Sequence, residues 1–199
     1  MYFTRRSVSK QWIASICALP TLWFCGTGPI WIVGDSLVRW VKRAVDVPFP
    51  VIWRGKSGAG LCELSQHLEG MTGPPPATII VHIGTNDLVK VDEFSIRQRI
   101  ALTMQRCRDV FPATRTIWSD VLPRVFYFGA RSQISMERKR RAVNRWARSQ
   151  GRRLGVSILH HPQFTWTETS LYRYDGIHLS PLGNGIFLAN LLLGIRSSL

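Results

Sequence analysis

Acidic residues are scarce in this chain of 199 residues: 12 Asp and Glu stand against 26 Lys and Arg, a formal net charge of +14 at pH 7 with a pI near 10.8. The imbalance draws the protein toward polyanions such as nucleic acid or acidic lipid, and it is silent about fold. Paired cysteines are missing too. Cys17, Cys25, Cys62 and Cys107 include no C-x-x-C spacing, which excludes the usual metal and redox pairs and reads as reduced thiols of an intracellular protein of cytoplasm or nucleus. A long hydrophobic run is also lacking. The apolar stretch from Trp12 to Cys25 is broken by Pro20 and is shorter than the roughly 20 residues a membrane-crossing helix needs, so no transmembrane segment is expected. Arg5, Arg6 and Lys10 before that stretch copy a secretory signal, but its only small-x-small site, Gly26-Thr27-Gly28, runs straight into Pro29. There is no internal repeat and no low-complexity linker. Residues 1–28 are therefore expected to form a leader or peripheral segment, and residues 29–199 one domain, with 45% hydrophobic content enough for a single core.

From Pro29 onward short apolar runs alternate with longer amphipathic ones, the pattern of an α/β fold. Strands are predicted at 30–33, 51–53, 77–83, 114–122 and 156–160, and helices at 37–45, 61–68, 94–110, 135–150 and 181–193. The clearest strand contains Thr78-Ile79-Ile80-Val81, β-branched throughout, after the proline-rich loop 70–76. Five strands with intervening helices imply a flavodoxin-like three-layer sandwich around a central parallel sheet, with functional loops gathered beyond the carboxyl ends of the strands.

Four segments fall at such ends: Gly34-Asp35-Ser36-Leu37, Gly55-Lys56-Ser57-Gly58, Gly84-Thr85-Asn86-Asp87 and Asp175-Gly176-Ile177-His178. Ser36 opens the first helix, where the partial positive charge of the helix N-terminus favours a developing anion and suits a nucleophile. Taken alone, Asp35-Ser36 reads first as a helix cap. His178 can act as a general base if Asp175, three residues earlier, accepts its Nδ1 proton, although a surface histidine beside a turn aspartate has the same spelling. Ser180-Pro181 then opens the last helix and anchors the loop. An oxyanion hole needs donors aimed at the developing charge. Gly58, chosen over Gly55 and Gly60 because it stands before a predicted helix, and Asn86 are the candidates, while Gly-Thr-Asn-Asp is also an ordinary turn sequence.

Together and in this order, the four segments resemble the blocks of the SGNH (GDSL-type) hydrolase superfamily over about residues 30–190. Gly34-Asp35-Ser36-Leu37 matches the GDSL block, Gly58 and Asn86 the oxyanion positions, and Asp175 with His178 the final DxxH block. The resemblance implies a Ser36-His178-Asp175 triad, a hole formed by the Ser36 amide, the Gly58 amide and the Asn86 side chain, and no metal or other cofactor. The implied substrate is a small ester or acylated molecule. The G-x-S-x-G elbow of the commoner α/β-hydrolases is missing, since no glycine stands two residues after Ser36. More narrowly, Ile117 to Arg124 and Arg173 to Ser180 resemble the SGNH-like reading frames of vertebrate retroelements, a group whose members do not all keep the nucleophile block.

On the basic helix, 100° per residue places Met136, Val143, Ala147 and Leu154 on one side and Arg138, Arg141, Arg145, Arg148 and Arg152 on the other. A solvated face of a sheet-covering helix explains the stripe. Electrostatic binding of nucleic acid is the alternative, and with it a catalytically idle binding module rather than an esterase, although no base-reading motif is present. His82, His160 and His161 have no carboxylate at metal-site spacing and are assigned no role. The eight tryptophans are spread evenly, as core and rim packing requires rather than as a stacking platform.

Overall fold

The computed structural model of the chain describes residues 28–42 and 50–196. The expected leader lies outside them apart from Gly28, as does the far end of the helix expected over 37–45. The elements are β1 (Ile30–Gly34), α1 (Ser36–Val41), β2 (Val51–Gly55), α2 (Leu61–His67), β3 (Thr78–His82), α3 (Asp87–Lys90), α4 (Glu93–Val110), β4 (Arg115–Ser119), α5 (Gln133–Leu154), β5 (Ser157–Leu159) and α6 (Pro181–Arg196), with a 3-10 turn at Thr169–Leu171. The five strands pair in parallel in the order β2-β1-β3-β4-β5. This is the expected α/β architecture.

Its three layers follow from the strand period of two. Trp31, Val33, Ile79, Val81 and Trp118 point to one side and pack on Leu61, Leu64, Ile96, Ile100, Met104, Val143 and Ala147 of α2, α4 and α5. Ile30, Ile32, Ile80 and Ile117 point to the other and meet Leu37, Val38, Val41, Phe187, Leu188 and Leu191 of α1 and α6. Both faces of the sheet are covered, so β1 and β3 are buried at every position, and β3 is apolar between Thr78 and His82 at its two ends. Helix starts are fixed by side chains: the carboxylates of Asp35 and Asp92 accept from the amides of Leu37 and Ser95, both at 2.9 Å, and the Ser132 hydroxyl accepts from Ser135 N at 3.2 Å.

The strand expected over 114–122 stops at Ser119. Val121 and Leu122 are buried as a strand would be, but Val121 finds its partners on a helix. Its N–H donates to Asn144 Oδ1 and its carbonyl accepts from Asn144 Nδ2, each at 3.0 Å, with Arg140 Nη1 also on the carbonyl at 2.9 Å. One asparagine side chain of α5 thus supplies the donor and acceptor that a neighbouring strand would have offered.

Candidate active site

The carboxyl ends of β1, β2 and β3 are level, with Gly34 registered against Gly55 on one side and His82 on the other. The sheet order reverses around β1, so the loops after β1 and β3 open the crevice where α/β folds gather ligands. The backbones approach too closely for any side chain at Gly34, where a Cβ would stand 1.9 Å from the His82 carbonyl oxygen. The chain then turns at once into α1, whose first residue is Ser36. Trp40 lies one turn further along the same face of α1, and its ring meets that of His178 edge to face, centroids 6.2 Å apart. That contact brings the loop carrying His178 over the Ser36 face of the helix.

In that loop Asp175 Oδ1 accepts from the amides of Ile177 and His178, both at 2.9 Å, and Oδ2 faces His178 Nδ1 at 2.7 Å. Partial burial raises the Asp175 pKa, and the hydrogen bonds from the His178 ring and the two amides more than offset this, leaving it below the ordinary carboxylate value. An ionised Asp175 fixes the proton of His178 on Nδ1 and leaves Nε2 as a proton acceptor.

The loops after β2 and β3 are laced together. Asn86 Nδ2 donates to the Ala59 carbonyl at 2.9 Å, and Asp87 Oδ2 accepts from Leu61 N at 3.1 Å. Gly58 is exposed and takes φ +75°, a region glycine enters freely, while Gly60 and not Gly58 caps α2. Asn86 is the N-cap of the short helix α3, which sequence periodicity did not anticipate.

Several partners escaped sequence reasoning because they meet only in three dimensions. Arg124 Nη2 donates to Asn86 Oδ1 at 2.7 Å, with the charges of Asp35 and Asp175 near it. Asp35, 1% exposed, has its pKa raised to about 6 by burial, which the Leu37 amide and the charges of Arg124 and His178 offset only in part. Deeper in, His82 Nδ1 lies 2.8 Å from Ser119 Oγ, Ser119 Oγ 2.7 Å from His161 Nε2, and His161 Nδ1 3.1 Å from Asn190 Nδ2. Burial lowers the His82 pKa to about 3 and takes that of His161 well below its ordinary value. Both are thus structural. His160, which has no carboxylate near it in sequence, sits with Nδ1 2.9 Å from Asp120 Oδ2.

The arginine stripe is only partly a free surface. Arg148 pairs with Asp120, and Arg141 joins Arg140 on Glu137, while Arg138, Arg145 and Arg152 are exposed with no carboxylate of the described residues at ion-pair distance. Among the described residues no group of three His, Cys, Asp or Glu is placed to hold a metal ion, and no helix is long and apolar enough to cross a membrane.

A level parallel sheet, a serine opening the first helix and a histidine-aspartate pair packed on Trp40 of that helix make an arrangement that suits a hydrolase of the GDSL kind. The chain belongs to the GDSL-like lipase/acylhydrolase family, matching it over residues 26–186. No curated protein matches the sequence. Solved structures that resemble it include a GDSL-like lipase of Bacteroides thetaiotaomicron, TM-score 0.72, 18% identical, covering 96% of this chain and 98% of that one. A member of the lipolytic G-D-S-L family from Veillonella parvula aligns with TM-score 0.66 at 12% identity, covering 86% and 99%. An α/β hydrolase enzyme from the metagenome of Lake Arreo aligns with TM-score 0.65 at 14% identity, covering 86% and 96%. At these identities the likeness is one of fold.

Proposed function

We propose that this GDSL hydrolase is a serine esterase or deacylase acting on carboxylic esters through Ser36, His178 and Asp175. The Ser36 hydroxyl attacks the ester carbonyl as its proton passes to His178 Nε2, and the carbonyl π electrons move onto oxygen. That oxyanion is received by the amides of Ser36 and Gly58 and by the side-chain amide of Asn86. The C–O bond to the alcohol breaks, His178 returns the proton to the leaving oxygen, and water, activated by the same histidine, hydrolyses the acyl-serine.

The observation that carries this reading is the Asp175-His178 pair at 2.7 Å, stacked edge-on against Trp40 of the helix that Ser36 opens. A fluorophosphonate probe tests it. The wild type should label and hydrolyse short activated esters with a chelator present, and Ser36→Ala should do neither. Full activity in Ser36→Ala would remove Ser36 from the mechanism.

A second reading, a basic nucleic-acid binding module without catalysis, is favoured by one observation: Arg138, Arg145 and Arg152 stand exposed along α5, with no acid of the described residues at ion-pair distance, in a chain of net charge +14. A narrower resemblance to retroelement SGNH-like frames would accord with either reading, and the labelling experiment separates them.

A further inference from the structure

We infer that Arg124 is a positioning residue that sets the oxyanion donor of Asn86; the inference rests on the esterase reading and deepens it. An arginine side chain can only donate hydrogen bonds and a backbone carbonyl can only accept them. The Asn86 atom that faces Arg124 Nη2 at 2.7 Å is therefore Oδ1, and the atom that faces the Ala59 carbonyl at 2.9 Å is Nδ2. The two contacts fix the amide in one orientation and use one of its two N–H groups. The remaining N–H is the one an oxyanion can take.

The guanidinium is held for this task from its own backbone. Arg124 N donates to the Tyr127 hydroxyl at 3.2 Å, and the Tyr172 hydroxyl donates to the carbonyl of Pro123, the residue before, at 2.9 Å. Both tyrosine rings are buried. Segment 123–124 is thus pinned between two phenols, and the arginine projects from a rigid base toward Asn86 on the loop after β3. A cation on the amide oxygen does more than orient it. It draws electron density from the amide and makes the free N–H a stronger donor just where negative charge appears. Uncharged partners at Asn86 Oδ1 would orient without polarising.

Two measurements test this, one of them independent of catalysis. In protein with ¹⁵N-labelled asparagine, the Asn86 side-chain amide signal, assigned by its absence in Asn86→Ala, should shift and lose protection from hydrogen exchange in Arg124→Met. In the second, kcat and KM are measured for ester hydrolysis. Arg124→Met should lower kcat about 10- to 100-fold, the worth of a charge-assisted hydrogen bond, with KM unchanged, and Arg124→Lys should recover part of the loss. In an Asn86→Ala background Arg124→Met should cost almost nothing further, because the residue through which it acts has gone. An unmoved Asn86 signal, an effect on KM alone, or losses that multiply in the double variant would overturn the inference. Failure of the wild type to label at Ser36 would instead overturn the esterase reading, and the amide signal would still decide whether Arg124 holds Asn86.

Discussion

Replacing Asp35 by asparagine should stabilise the protein more at alkaline than at acid pH. Asp35 is buried beside Ser36, and its side chain caps α1 through Leu37 N at 2.9 Å, an acceptor role asparagine can keep. In the folded protein its pKa rises from 3.8 to about 6, since burial penalises the charge more than the Leu37 amide, Arg124 and His178 relieve it. An acid whose folded pKa exceeds its unfolded one binds its proton more tightly when folded. The stabilisation this gives is fully present below pH 3.8 and is lost as pH rises through about 6. At about 1.4 kcal/mol per pH unit, the ionised carboxylate costs about 3 kcal/mol well above that range. Asparagine does not titrate, so its advantage over aspartate should grow by about 2 kcal/mol between pH 4.5 and pH 8. Any constant difference between the two side chains cancels in that comparison, as do the titrating groups that do not feel the Asp35 charge. Urea denaturation of both proteins at the two pH values measures it, provided the transitions are two-state. A stability difference that does not change with pH, or that falls as pH rises, would show that Asp35 is ionised without penalty and refute the argument.

Asn86→Ala should lower kcat on the order of 10²–10³-fold, the usual worth of one oxyanion donor, with little change in KM; steady-state kinetics on a short ester checks it, and a pure KM effect would remove Asn86 from the oxyanion hole. If the exposed arginines bind nucleic acid, replacing Arg138, Arg145 and Arg152 by Gln should flatten the salt dependence of binding by roughly 0.9 in log K against log salt for each phosphate no longer neutralised. The same change at Arg141 and Arg148, already occupied by Glu137 and Asp120, should flatten it less. Equal slopes for both variants and the wild type would return the whole stripe to a solvated helix face.

What the sequence disclosed was local. The alternation that buries Trp31 and Val33 on one face and Ile30 and Ile32 on the other is spelled within a few residues, as is the cap at Asp35. The Asp175-His178 pair was legible because three residues separate its members. Asn86 and Arg124 are 38 positions apart, and His160 and Asp120 are 40 apart, so no spacing announced either. Beyond Ser119 periodicity misled, because burial at Val121 and Leu122 mimics a strand while the pairing is with Asn144 of α5. The arginine stripe misled in part for a related reason. An angular count places residues around a helix axis, but it cannot see that Asp120 reaches the edge of α5 and takes Arg148.

The chain of buried side chains from Asn190 to His82 makes the folded molecule sensitive to acid. Asn190 Nδ2 can only donate, so His161 accepts at Nδ1 and donates from Nε2 to Ser119, whose hydroxyl also meets His82 Nδ1. A further proton on the His161 ring would set its Nδ1 against the Asn190 amide, two donors facing each other, and burial opposes a charge on His82. The unfolded chain takes up those protons near pH 6.5 while the folded one refuses them, so each histidine withdraws about 1.4 kcal/mol per pH unit as the solution acidifies below that point. Asp35 returns the same slope over its narrower range, from about pH 6 down to 3.8, and cancels one histidine of the two. Asp87, whose carboxyl burial also raises, acts in the same direction as Asp35. The two buried histidines thus favour neutral over acid surroundings, from a place in the core beneath the loops that end the strands and independently of what the site acts on.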